Sequence, residues 1–177
     1  QRQVLAIRDF RVLWLGSFLS FLGSWVQNIA QGWLVYHLTG DKAKLAMVGF
    51  ASTIPVFAFT LLMGALADTL DRRKVLIVCQ AIFACSALFL AAMCATGNIR
   101  YEQIIVVAFI NGLASALEMT TRQSIMGRVV PLELVPTALP LQAMTFNLAR
   151  IIGPAVGGYL AHLFHPQMNY FVNGLSY

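Results

Sequence analysis

An all-α membrane protein is the fold class that the sequence predicts: a polytopic bundle of five transmembrane helices and the start of a sixth. Three observations predict it. Hydrophobic residues make up 59% of the 177-residue chain and charged residues 11%, against roughly 45–50% and about 25% in globular domains. A soluble fold of this length cannot hide so much apolar surface. The charges are also clustered: none falls between Arg11 and Asp41, from Leu45 to Ala67, or from Val75 to Ile99. Each gap is at least the roughly 20 residues that a bilayer span needs. Finally, the stretches between the gaps are short, which leaves no soluble domain to carry an enzymatic site. Disorder is excluded, because it requires low hydrophobicity and high charge. A nucleic-acid partner is excluded too. The net charge is +5, but the basic residues are split by long uncharged runs, with no basic face to follow a phosphate backbone.

Taken in order, span one covers about residues 12–38, span two about 45–67 and span three about 75–97. Span four covers about 103–119, with Glu118 near its end, and span five about 138–162, with Arg150 inside it. The sixth segment, 169–177, holds nine residues. It rises about 14 Å, half of a ~30 Å hydrocarbon core. The chain also starts without Met, so both ends read as cut. Between Thr120 and Pro140 lie Arg122, Arg128, Glu133 and three prolines. That composition predicts a connection with a short interfacial helix near Gln123–Val130, then a proline-punctuated entry into span five. No secretory signal is visible, since the first run is too long and lacks a cleavage flank.

Lys and Arg set the orientation. Arg2, Arg8, Arg11, Arg72, Arg73, Lys74, Arg122 and Arg128 fall on one side, and Lys42, Lys44 and Arg100 on the other. Eight against three places the N-terminus and the turn near Asp71 in the cytoplasm.

Polar residues inside the spans are the candidate functional groups. Ser17, Ser20, Ser24, Gln27, Asn28 and Gln31 recur every three or four residues, on one helical stripe. Such amides need partners or water. The stripe either lines a hydrated cavity, through Ser24, Gln27, Asn28 and Gln31, or forms a helix–helix seam. An ionised Arg inside a span is costly and needs a partner, and Glu118 on the neighbouring span is the expected one for Arg150. That pair is either functional, contacting an anion or coupling to proton movement, or a static link. Span five continues Gly153-Pro154-Ala155-Val156-Gly157-Gly158. Proline predicts a kink there, and the glycines predict close packing. The cysteines (Cys79, Cys85, Cys94) and histidines (His37, His162, His165) are spaced for no metal site. No metal, cofactor or catalytic set is expected.

The segment Gly64-Ala65-Leu66-Ala67-Asp68-Thr69-Leu70-Asp71-Arg72-Arg73-Lys74 resembles motif A of the major facilitator superfamily, whose pattern is Gly-x-Leu-Ala-Asp-Arg-x-Gly-Arg-Arg/Lys. It departs from that pattern at Thr69 and Asp71. The stretch from Gly153 to Gly158 is similar to the antiporter motif, motif C, of drug exporters in that superfamily. Phe10–Trp14, Gln27–Thr39 and Asn147–Arg150 look like its bacterial drug and siderophore exporter subfamily, the enterobactin-exporter-like and macrolide-efflux-like proteins. The resemblance covers essentially the whole chain. It implies the N-terminal half of a transporter, a six-helix half built from two inverted three-helix repeats, with a missing C-terminal half as partner.

It further implies export of small amphipathic molecules across the bacterial inner membrane by alternating access, with a proton as coupling ion. Gly64, Leu66, Asp68, Arg72 and Arg73 would gate, Asp68 meeting the positive N-terminal end of a helix in the other half. Those arginines also serve the positive-inside rule, which is the simpler reading. Ala108 stands where motif B carries an Arg four residues before a Gly, here Gly112, and span one has no Asp. The remaining acids are Glu118 and Asp68. An importer or lipid flippase on the same scaffold, or a non-transporting membrane sensor or assembly protein, are the alternatives.

Overall fold

The computed structural model describes residues 7–163, 170, 171, 173 and 174, without the side chains of residues 9, 67, 68, 126–129, 132 and 160–163. Arg2, His165 and most of the sixth span lie outside the described residues, as do the side chains of Arg128 and His162. The described residues are helical with no strand: α1 Arg8–Thr39, α2 Lys42–Thr69, α3 Arg72–Ala95, α4 Tyr101–Val129 and α5 Val135–Leu163, with a 3₁₀ turn at Leu132–Leu134 before α5. Tyr170, Phe171, Asn173 and Gly174 are also helical.

Each helix stops and restarts for a local reason. Gly40 ends α1 at φ 64° and bonds back to the Tyr36 carbonyl, a left-handed cap that glycine adopts without Cβ strain. Asp41 and Asp71 open α2 and α3, their carboxylates accepting from Ala43 N at 2.8 Å and Arg73 N at 3.0 Å. Such N-caps satisfy an otherwise orphaned donor. Asp71, the departure from motif A, is therefore the cap of α3.

Among the described residues α1 to α4 are long and apolar enough to cross a membrane. Their outer faces carry large apolar side chains, with Phe57 83% and Leu61 88% exposed. Such a surface suits hydrocarbon and not water. Two pairings dominate the bundle, α1 with α5 and α2 with α4, and α3 packs on α4. A three-helix repeat equates α1 with α4 and α2 with α5, so the two dominant pairings exchange under it. Short connections make successive helices antiparallel, so α1 and α4 run in opposite senses, as the inverted repeat implied by the resemblance requires. A core of Leu34, Val35, Leu90, Ile104 and the fully buried Tyr170 closes one end. Phe10, Val130 and Ala138 close the other.

One expectation is corrected. The interfacial helix near Gln123–Val130 is not separate; α4 runs through Met119 to Val129. Nothing breaks the helix before Pro131, and Thr121 on that segment is fully buried. Arg122 is thereby drawn out of the loop and into the bundle. Pro140 and Pro154, the second at the expected kink, both lie inside α5, each costing that helix one backbone hydrogen bond.

Candidate functional site

The stripe on α1 divides between two polar sites. Ser24, Gln27, Asn28 and Gln31 line a cavity of about 400 Å³, within the range that holds drug-sized ligands. Ser52 and Thr53 of α2 and Asn111 and Ser115 of α4 complete its polar wall, with Leu45, Val48 and Phe83 as apolar surface. No charged side chain lines it among the described residues. Gln27 is buried and accepts a bond from Asn173 of the sixth segment. Asn111 Oδ1 is buried and has no partner among the described residues. An unpaired buried carbonyl oxygen is costly, so this atom marks where the cavity can accept a hydrogen bond.

Ser17 and Ser20, at the N-terminal end of the same stripe, are buried instead at a charged cluster. Glu118 Oε1 accepts from Gln80 Nε2 of α3 at 2.7 Å and from Arg122 Nε at 2.8 Å. A second guanidinium nitrogen, Arg122 Nη2, lies 2.6 Å from the same oxygen. Arg122 Nη1 donates to Ser17 Oγ of α1, and its guanidinium lies 5.5 Å from the Phe21 ring centre. Glu118 and Arg122 are only 12% and 11% exposed. Three helices are therefore tied through one ion pair, α3 through Glu118 and α1 through Arg122.

The expected pairing of Glu118 with Arg150 is not what the structure brings together. Arg122 sits one turn from Glu118 on the same helix and satisfies it. Arg150 is exposed on α5, its guanidinium 5.9 Å from the Trp25 ring centre, and no described residue forms an ion pair with it. Gly153 and Gly157 are buried where α5 meets α1. An added methyl at Gly153 would overlap Trp25 Cβ. One at Gly157 would lie 3.0 Å from Val26 Cα. Pro154 is half-buried, and Gly158 is exposed with open space beside it.

Around the α2–α3 turn, Arg72 Nη1 donates to the Ser124 carbonyl of α4 at 3.2 Å. Arg73 and Leu66 are exposed and Gly64 is half-buried. Asp68 lies in the last turn of α2; its side chain is outside the described residues.

Sequence reasoning missed Asn111, Ser115, Gln80 and Arg122 as site residues. A signal existed for three of them. Asn111, Ser115, Glu118 and Arg122 are spaced by four, three and four, a stripe on α4 that mirrors the one on α1. Ending span four at Met119 cut Arg122 from it.

A family model described as transmembrane secretion effector, of the major facilitator type, matches residues 3–177. The staphyloferrin A transporter of Staphylococcus aureus (strain NCTC 8325 / PS 47) is 27% identical over 91% of this chain and 41% of its own length. The multidrug efflux pump Tap of Mycolicibacterium fortuitum is 26% identical over 78% of the chain and 35% of its own. The macrolide efflux protein A of Streptococcus pyogenes is 22% identical over 85% and 37%. The chain thus spans about two fifths of the length of these relatives.

Proposed function

The chain belongs to the transmembrane secretion effector family of major facilitator transporters, and on that premise we propose that it forms the N-terminal half of an exporter of small amphipathic molecules. Family members are multi-pass membrane transporters and not enzymes. The observation that carries the proposal is the neutral, polar cavity between α1, α2 and α4. Ser24, Gln27, Ser52 and Thr53 each have a bond within the protein, but the buried Asn111 Oδ1 has none among the described residues, and water or a ligand in the cavity would satisfy it. With no formal charge in its wall, the cavity suits the hydrogen-bonding face of an amphipathic solute. The relatives named for a siderophore, for macrolides and for multidrug efflux support that class.

The missing C-terminal half would close the cavity from the other side, and the two halves would rock about the midplane site, with a proton as coupling ion and no bound cofactor. The bacterial inner membrane, with the N-terminus in the cytoplasm, is the proposed location. Removing Arg122 from the loop tally still leaves seven basic residues against three. Gly64, Leu66, Asp68, Arg72 and Arg73 are the proposed gate, Arg72 tying α3 to the end of α4. Asp68→Asn should slow transport more than it weakens substrate binding; an unchanged rate removes the gate.

The test uses the protein expressed from its complete reading frame in inverted membrane vesicles, with a macrolide and staphyloferrin A as probes. Export appears as accumulation inside such vesicles, and Asn111→Leu should abolish it. Accumulation only in right-side-out vesicles would replace export by import. No flux in either orientation would leave a sensor or assembly protein.

A further inference from the structure

We propose that Glu118 is the proton-carrying residue, and that its protonation weakens the link between α3 and α4 and the hold of Glu118 on Arg122, one helical turn from the substrate cavity. The inference rests on the exporter reading for its purpose, but its geometry stands apart from the cavity. Gln80 and both Arg122 contacts fall on the same atom, Glu118 Oε1. Glu118 Oε2 takes no hydrogen bond from any described residue. A proton can therefore add to Oε2 without first displacing a donor.

The consequence is electrostatic. The ionised pair carries no net charge. One proton bound at Oε2 turns the carboxylate into a neutral acid whose Oε1 still accepts from Gln80 and Arg122, but more weakly, and leaves Arg122 an uncompensated cation held more by Ser17 Oγ and the face of Phe21, both on α1. Release of that proton to water restores the pair. A charge change at a nearly buried site is worth far more than one in water, so the two protonation states favour different packings of α1, α3 and α4. Among the described residues, the charged and titratable groups facing Glu118 are Arg122 on its own helix and Cys79 of α3. On the α1 side the neutral Ser17 and Phe21 contact Arg122.

Coupling to the cavity needs only a short path. Ser115 lines the cavity and stands three residues before Glu118 on α4, on the same helical face. On α1, Ser24 lines the cavity and its hydroxyl bonds to the Ser20 carbonyl at 2.9 Å. Ser20 and Ser17 border a second cavity of about 520 Å³, which Gln80 and Arg122 also line. That opening gives a proton access to the cluster.

The proposal is tested on the protein from its complete reading frame, in lipid vesicles, with dicyclohexylcarbodiimide as probe. This apolar reagent adds to protonated carboxyl groups, and mass spectrometry of the α4 peptide locates the adduct. Labelling of Glu118 should rise as the pH is lowered, while the exposed Glu102 serves as the internal comparison. Glu118→Gln should lose that adduct, stay folded by circular dichroism, and transport a macrolide at a rate that no longer responds to a pH gradient. Glu118→Asp should retain both the labelling and the response. An unlabelled Glu118 at every pH, or a Glu118→Gln variant with the wild-type pH response, overturns the proposal. Labelling of Glu118 without flux of any probe upholds the proton site and overturns the exporter reading instead.

Discussion

Arg122 of α4 and Arg150 of α5 both lie well inside their helices, and the bundle treats them in opposite ways. Arg122 of α4 is nearly buried, paired with Glu118, and bonded across to α1. Arg150 of α5 is exposed and rests against Trp25 with no ion pair among the described residues. A cation in the bundle interior requires a carboxylate and further bonds. A cation beside apolar surface survives if it faces water or a partner. The first is thus part of what holds the helices together, and the second is available to whatever approaches that face of α5. Each arginine touches α1, through Phe21 and Trp25 respectively, so the same helix separates an internal charge from an open one.

The contrast breaks most visibly at Arg122. Arg122→Leu leaves Glu118 buried with Gln80 as its remaining described partner. Losing one member of a buried pair costs about 3–5 kcal/mol, so the expected result is a steep loss of folded protein, read as thermal stability in detergent. Replacing both members, Glu118→Gln with Arg122→Gln, should recover most of that loss, because no uncompensated charge remains. A single variant as stable as the parent would mean that the pair is solvated and the comparison false.

A smaller effect sharpens the other side. Gly153 follows Arg150 by one turn of α5 and abuts Trp25, the ring under the guanidinium. Gly153→Ala forces the two helices apart at that ring, at a cost of about 1–3 kcal/mol for overpacking, partly offset by roughly 1 kcal/mol of helix propensity. Trp25 is anchored at Cβ, close to the backbone, so it cannot swing away as a long side-chain tip could. Gly158→Ala meets open space and should show the propensity gain alone. The two variants, compared by thermal unfolding, should therefore shift in opposite directions; a shared direction would remove the close α1–α5 contact.

How much of this was legible in sequence depended on range. The first three helices came from charge-free runs, because the bilayer imposes length and apolarity on each span by itself. The α1 stripe came from its own periodicity, and so did the wall it gives to the cavity. The partner of Glu118 was misread because the end of α4 was placed where hydrophobicity falls, at Met119, whereas the backbone stays helical until Pro131. An i,i+4 neighbour then won over a residue on the next helix, since it needs no register between helices. The close approach of Gly112 to Ser52 and Pro55 depends on how α2 crosses α4, which no single helix encodes. Asp71 replaces a motif glycine, and its capping role was readable from its place just before α3.

The smallest expected change in stability belongs to Arg150→Leu, and its sign distinguishes two environments. The contact with Trp25 is worth about 0.5–1 kcal/mol at an exposed site, so its loss should lower stability by no more than that. If the guanidinium faced hydrocarbon, Leu would instead relieve about 2.5–3.5 kcal/mol on insertion scales, and the variant would be markedly more stable. A near-neutral result places Arg150 toward water or a partner. Transport then divides a functional charge from a topological one. The folded variant should carry no macrolide across vesicle membranes if Arg150 engages the substrate or the other half. Normal flux with unchanged stability would leave Arg150 as a topological charge, and the functional weight of the bundle would rest on α1 and α4.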